Sequence, residues 1–124
     1  MKKGLNKKTG GIIIPLEKIK KNREYRDVYK KGKKFVSSFT VLYVMPNERE
    51  KTRVGITVSK KIGNSVTRNR VKRIYREVCR LKEKDMKNGY DLVIVARKKA
   101  KELDFWKGWK DLNKLFYKSK IIFR

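Results

Sequence analysis

Apolar and polar residues along this chain follow two periods. Tyr25, Val28 and Tyr29 recur at i, i+3, i+4 before Gly32, which predicts a helix over residues 22–31 with Asn22 as its cap, Glu24 in its first turn and Gly32 as its stop. Residues 35–45 switch to period 2, the signature of a strand. Phe39, Val41, Tyr43 and Met45 oppose Thr40, Leu42 and Val44, and both sets are partly apolar, so one face packs on helices while the other lines a groove. After the polar link PNEREK, Val54, Ile56 and Val58 alternate with Gly55, Thr57 and Ser59. Two strands and a short link predict an antiparallel hairpin. A further strand, YDLVIVA, is entered through Asn88-Gly89. A last helix runs over 104–118, with Asp104 as cap, Phe105, Trp109, Leu112 and Phe116 as its apolar stripe, and Gly108 weakening it by about 1 kcal/mol relative to alanine. Trp106 and Trp109 read as core or docking residues before base-stacking ones.

The longest periodic segment starts near Val66, with Ser65 or Thr67 as its cap. At 100° per residue, Val71, Ile74, Tyr75, Val78 and Leu81 fall within an arc of roughly 120°. Asn69, Lys72, Arg73, Arg76 and Arg80 lie opposite, Arg68 and Arg70 flank the seam, and Glu77 is the only acid before Glu83. Cations in the first turns oppose the helix dipole, and like charges repel along one face. An external polyanion resolves both conflicts. Phosphates approach the free N–H groups of the first turn and pair bidentately with arginine, and Asn69 can add a bond to a base edge or sugar. Lys60-Lys61 and the turn at Gly63-Asn64 lie just upstream and extend the same patch. A merely solvated face is the competing reading; six Lys and Arg between Arg68 and Arg80, on a helix with an apolar back, favour nucleic acid.

Composition sharpens this picture. The 124 residues hold 37 Lys and Arg against 12 Asp and Glu, a net charge of +25 with no histidine. That density of one sign repels itself unless a polyanion is present. The length suits one domain, 16–124, preceded by a basic arm, 1–15, without stable period and expected to be flexible. No run of eighteen apolar residues occurs, and Ile12-Ile13-Ile14, closed by Pro15, is too short for a signal-peptide core, so the expectation is a cytoplasmic protein away from membranes. Cys79 is the single cysteine and reads as a small buried hydrophobe. Without histidine the commonest general base is missing, and Asp85, Asp91, Glu102 and Asp104 form no recognisable metal pair, so no catalytic residue is assigned in the protein. A structural RNA-binding protein of ribosomal type competes on composition. Reading of duplex DNA sequence fits poorly with a near-uniform phosphate-type face.

The stretch RVGITVSKKIGNSVTRNRVKRIYRE, residues 53–77, resembles the signature of the bacterial ribonuclease P protein family, with Arg68-Asn69-Arg70 and Lys72-Arg73 at its arginine-rich helix. NREYRDVYKKGKKFVSSF resembles the family's first helix and strand, and DLVIVARKK the strand after the central helix. The resemblance implies an α/β two-layer sandwich: a mixed four-stranded sheet with three helices, similar to ribosomal S5 domain 2, in order α-β-β-β-α-β-α with a left-handed crossover. It also implies a division of labour. A catalytic RNA subunit holds the Mg²⁺ ions and removes the 5′ leader of precursor tRNA, while the protein binds that RNA and the single-stranded leader, with no obligate protein partner. RNA-subunit contacts are then expected at Lys60, Lys61, Arg68, Asn69, Arg70, Lys72, Arg73 and Arg76, and leader contacts at Tyr25, Tyr29 and Tyr43. The family commonly has Phe where Tyr25 and Tyr29 stand, and both residue types stack on bases. Metal sites on the protein itself stay open.

Overall fold

The computed structural model describes residues 16–122 throughout, and the backbone of 4–6 and 11–13. The backbone segments β1 (Gly4–Asn6) and β2 (Gly11–Ile13) pair antiparallel. The rest of the expected flexible arm 1–15 lies outside the described residues. Then follow β3 (Glu17–Lys18), α1 (Asn22–Lys31), β4 (Lys33–Val36), β5 (Thr40–Pro46), β6 (Arg53–Thr57), α2 (Ser65–Lys82), β7 (Tyr90–Ala96) and α3 (Phe105–Lys118). From Asn22 onward this is the expected order α-β-β-β-α-β-α. Short 3₁₀ turns at Lys60–Ile62, Glu83–Asp85 and Lys98–Glu102 join the elements.

The main sheet has five strands rather than four, in the order β3-β6-β7-β5-β4. The added member, β3, is two residues long and runs parallel to β6 at the edge. The anticipated single strand over 35–45 is two strands, β4 and β5, folded back antiparallel through Ser37–Phe39. Here the Ser37 hydroxyl accepts from the Phe39 and Thr40 N–H groups, a side-chain turn hidden inside an otherwise alternating pattern. The expected β5–β6 hairpin does not form, because β7 lies between them, antiparallel to β5 and parallel to β6. β7 is apolar on both faces, with Leu92, Val93 and Ile94 fully buried, so the centre of the sheet is where both its faces and both its edges are covered. A parallel β6–β7 pair requires a long crossover, and α2 supplies it.

Period-2 alternation sends Leu42, Val44, Leu92, Ile94 and Ala96 toward α2 and α3, where they join Tyr75, Val78, Leu112, Leu115 and Phe116 in the main core. The opposite face carries Val93, Tyr43, Met45 and Val95, which pack with Ile19, Val28 and Tyr25. Helix α1 therefore adds a partial third layer to the two expected. Its Val28 is fully buried, worth about 1.5–3 kcal/mol. Gly32 ends α1 with extended backbone (φ −74°), not a left-handed cap; a Cβ there would sit 2.6 Å from the Val28 carbonyl oxygen.

Caps and packing depart from expectation in four places. α1 is capped at Lys21, whose N–H donates to Glu24 Oε1 at 3.4 Å, one residue before the expected Asn22. For α2 the cap is neither Ser65 nor Thr67 but Asn64, whose Oδ1 accepts from the Thr67 N–H at 2.9 Å. Leu81, expected on the apolar face, is exposed, and Cys79 takes the buried place. Gly108 is buried, with an added Cβ falling 2.5 Å from Ile74 Cγ2, so the residue that weakens α3 locally is what lets α3 approach α2. Asp104 caps α3 as expected, accepting from the Lys107 N–H at 2.8 Å. A buried polar link joins both helices to the sheet: Thr40 Oγ1 donates to Asp111 Oδ2 and pairs with the Tyr75 hydroxyl, both at 2.7 Å. Burial pushes the Tyr75 phenol well above its ordinary range, and pushes the Cys79 thiol up to about 12.

Candidate nucleic-acid interface

The basic face of α2 exists because its back is anchored. Val71, Ile74, Tyr75 and Val78 are buried against the sheet and α3, which forces Asn69, Arg73 and Arg76 outward into solvent. Arg73 and Arg76 are exposed and their side chains make no hydrogen bond or ion pair with the described residues, so both guanidinium forks are available. Lys72 is half-buried at the mouth of a cavity of about 420 Å³, also rimmed by Arg76 and Arg80 and floored by Ile19, Gly55 and Cys79. Lys60 and Lys61 are exposed on a 3₁₀ turn whose Ile62 is buried, so one apolar anchor presents two cations beside the start of α2. Gly63 closes the turn at φ 156°, ψ −165°, a conformation open to glycine.

Two arginines of the motif are engaged within the protein. Arg68 donates to the Gly63 carbonyl at 3.0 Å and to Ser65 Oγ at 3.2 Å, holding the turn that leads into the helix. Arg70 donates to the Leu103 carbonyl and, at 2.5 Å, to the Lys101 carbonyl. It thereby pins α2 to the Lys98–Glu102 turn and brings Lys98, Lys99 and Lys101 beside the basic helix. Those lysines are part of the surface and were not singled out in the sequence; the run RKKAK directly after a buried strand was the available signal. Arg80 forms an exposed pair with Glu77, which lowers the Glu77 carboxyl pKa and contributes little to stability.

On the other face of the sheet Tyr25, Tyr29 and Tyr43 come together. The Tyr29 and Tyr43 rings meet edge to face with centroids 5.0 Å apart, and Tyr25 lies 6.5 Å from Tyr29. Tyr29 is 39% exposed, the most open of the three. Tyr25 is partly enclosed, because Gly55 leaves room for its ring: a Cβ there would fall 2.6 Å from the Tyr25 ring and hydroxyl. Burial raises the Tyr25 pKa, and its hydroxyl reaches the Ile19 carbonyl at 3.4 Å. Together α1 and the sheet floor hold a small aromatic platform beside open strand surface, including Val36. Such a platform suits single-stranded nucleic acid.

The wall of this platform is fixed by an ionic link that composition alone did not reveal. Arg53 donates to both carboxylate oxygens of Asp91 (Nε–Oδ1 2.8 Å, Nη2–Oδ2 2.6 Å) and to Glu24 Oε2 at 2.7 Å. Asn47 Nδ2 adds a bond to Asp91 Oδ1 at 2.8 Å. Arg53 and Asp91 side chains are 9% and 2% exposed, so Asp91, read as an isolated acid, is a buried partner. The guanidinium lowers the Glu24 carboxyl pKa, while Asp91 and Glu24 together raise that of Arg53. Thus α1, β6 and β7 are tied at one point.

No three His, Cys, Asp or Glu side chains come together in a metal-ligating group among the described residues. Glu24 and Asp91 are engaged by Arg53, and Asp111 by two hydroxyls. This donor set does not fit a protein-held Mg²⁺. Among the described residues no helix is long and apolar enough to cross a membrane.

Comparison with known proteins agrees with this geometry. The sequence profile of the Ribonuclease P family matches residues 15–120. The ribonuclease P protein component of Natranaerobius thermophilus is 46% identical over 104 residues, covering 84% of this chain and 90% of that protein. The solved structure of the Staphylococcus aureus RNase P protein superposes with a TM-score of 0.80 at 33% identity, over 86% of this chain and 97% of the other. That of the Thermotoga maritima RNase P protein gives 0.71 at 33% identity, over 80% and 94%. With a match across most of its length, an α/β fold shared with solved members and the arginine-rich helix in place, this chain belongs to the bacterial ribonuclease P protein component family.

Proposed function

We propose that two faces of this protein divide its work within ribonuclease P: the α2 face holds the catalytic RNA, and the tyrosine platform holds the precursor-tRNA leader. The chain is the accessory protein subunit of the ribonucleoprotein that removes the 5′ leader of precursor tRNA, acting with the RNA subunit. The observation that carries the two-face reading is the placement of the outward cations of α2, which packs on one face of the sheet, and of the Tyr25–Tyr29–Tyr43 cluster on the other, the two meeting at the cavity that Tyr25 lines with Lys72 and Arg76. Lys60, Lys61, Asn69, Lys72, Arg73 and Arg76 contact RNA phosphate and sugar. Arg68 and Arg70 act partly by holding the turns that present their neighbours. Such contacts read shape and single-strandedness more than base identity.

The mechanism is one of alignment. Cations screen the repulsion between two RNAs, and the platform holds the leader extended, so binding energy goes into positioning the scissile phosphodiester. The Mg²⁺ ions that supply the chemistry belong to the RNA in this reading. The family resemblance supports a left-handed β6–α2–β7 crossover, and the bacterial relatives support a cytoplasmic location.

The test is multiple-turnover cleavage of precursor tRNA at low Mg²⁺ by the catalytic RNA, with and without this protein, beside a protein-only control. Tyr29→Ala is expected to raise KM for substrates with a long leader while leaving leaderless tRNA binding unchanged. Equal effects on precursor with a long leader and on leaderless tRNA would remove the platform assignment. A silent protein-only control and strong stimulation of the RNA are the expected outcomes for the subunit itself.

A further inference from the structure

We infer that α3 carries a second RNA-backbone tract, continuous with the α2 face and occupied by the same catalytic RNA; the inference rests on the reading of α2 as that RNA's interface. Lys107, Lys110, Lys114 and Lys118 fall within about 80° of one another around the helix. They follow one another at steps of about 4.5–6 Å over about 16 Å of its axis. All four are exposed, and none is ion-paired among the described residues. The one acid on this side, Asp111, is buried at the base of the same groove, its Oδ2 accepting from Ser37 Oγ (3.0 Å) and Thr40 Oγ1 (2.7 Å), and it forms no ion pair with these lysines among the described residues.

These lysines border a groove of about 320 Å³ between α3 and the turn linking β4 to β5, lined also by Ser37, Ser38 and Phe39. Like charges at three- and four-residue steps destabilise a helix unless a counter-charge lies alongside. A strand with a phosphate every ~3.4 Å of axis offers that counter-charge over the whole stripe. Continuity with α2 decides which RNA. Arg70 clamps the Lys98–Glu102 turn to α2. On the far side of that turn Arg97 donates to the Ser37 carbonyl at 2.7 Å, and Lys99 Nζ lies 5.6 Å from the centre of the Phe39 ring. Cations at residues 97–101 therefore link the α2 face to the α3 groove through Ser37 and Phe39, while Tyr29 and Tyr43 lie on the opposite face of the sheet.

The experiment measures binding of the full-length protein to its catalytic RNA across a salt series. It compares wild type with K107Q/K110Q/K114Q/K118Q, with the four-fold Lys→Arg variant, and with R73Q/R76Q. Glutamine is a good helix former, and circular dichroism verifies the fold. The Gln variant is expected to lower the slope of log affinity against log salt by about 2.8, from four phosphates at ~0.7 each, which amounts to about a 200-fold loss at 0.15 M if affinities converge at 1 M. The Arg variant should restore the slope. Precursor-tRNA affinity of holoenzyme assembled at saturating protein should stay unchanged. An unchanged salt slope in the folded Gln variant, with R73Q/R76Q weakened, would overturn the α3 tract and leave the α2 reading standing. No effect from either variant would overturn the α2 reading as well. Weakened precursor-tRNA capture with RNA-subunit affinity intact would overturn the choice of partner.

Discussion

Replacing Arg53 with methionine probes the link between the platform wall and the sheet. The side chain makes three charge-assisted hydrogen bonds, two to Asp91 and one to Glu24. Methionine keeps much of the apolar stem but leaves Asp91, 2% exposed, with Asn47 as its remaining hydrogen-bond partner among those described above. Removing one member of a buried ion pair costs about 3–5 kcal/mol, mainly because the surviving charge is stranded. For a chain of this size that is about 12–20 °C in Tm, from roughly 4 °C per kcal/mol. Urea titration followed by circular dichroism should show the midpoint fall with little change in slope. The double variant Arg53→Met, Asp91→Asn removes the stranded charge and should recover about 1–2 kcal/mol relative to additivity. A loss under about 1 kcal/mol in the single variant, or strict additivity in the double, would show that the link is not an energetic clamp.

Other perturbations follow from the same packing. Gly108→Ala should destabilise the protein by about 1–3 kcal/mol in urea titrations, although alanine favours helix by about 1 kcal/mol, because the added methyl meets Ile74 Cγ2 at 2.5 Å. Gly55→Ala should cost a similar ~1–3 kcal/mol, and Tyr25→Ala in the same chain should remove most of that penalty, since the Tyr25 ring occupies the space. Glu24 has a folded-state pKa below its ordinary 4.5, so its contribution is complete above that value and is lost as pH falls through the folded value. Stability curves of wild type and Glu24→Gln should therefore separate near neutrality and converge as pH falls from 4.5 through the lowered folded value. The Cys79 thiol, buried and pushed up to about 12, should resist maleimide at pH 8 in the native protein and react on unfolding.

How far the sequence spoke for itself differs between elements. The central helix was legible because its apolar arc and its cations obey one period over eighteen residues. β7 was legible because Asn88-Gly89 opens it, with Gly89 at φ 86°, and no polar residue interrupts LVIVA. The break between β4 and β5 was hidden, since Ser37 and Ser38 preserve the alternation while Ser37 folds the backbone through side-chain bonds. Strand neighbours were also hidden, because proximity in sequence favours the β5–β6 hairpin, and only the need to cover β7 on both sides excludes it. Within the site, the outward residues of α2 could be read from periodicity, and the three tyrosines were named from the resemblance. The engagement of Arg68 and Arg70 could not be read, because their partners are backbone carbonyls, which carry no sequence signature. For the same reason the Arg53–Asp91 pair, thirty-eight residues apart, required the sheet register to become visible.

The central place of β7 has a consequence for synthesis. Its neighbours β5 and β6 are both made first, yet neither pairs with the other, so each waits with an open edge until residues 90–96 leave the ribosome. Sheets closed by such distant segments form slowly and expose apolar edges while they wait. In the interval the chain already carries most of its lysines and arginines. The charge that later meets RNA therefore also serves earlier, keeping unfinished copies apart on the polysome until the last strand slides between the first two.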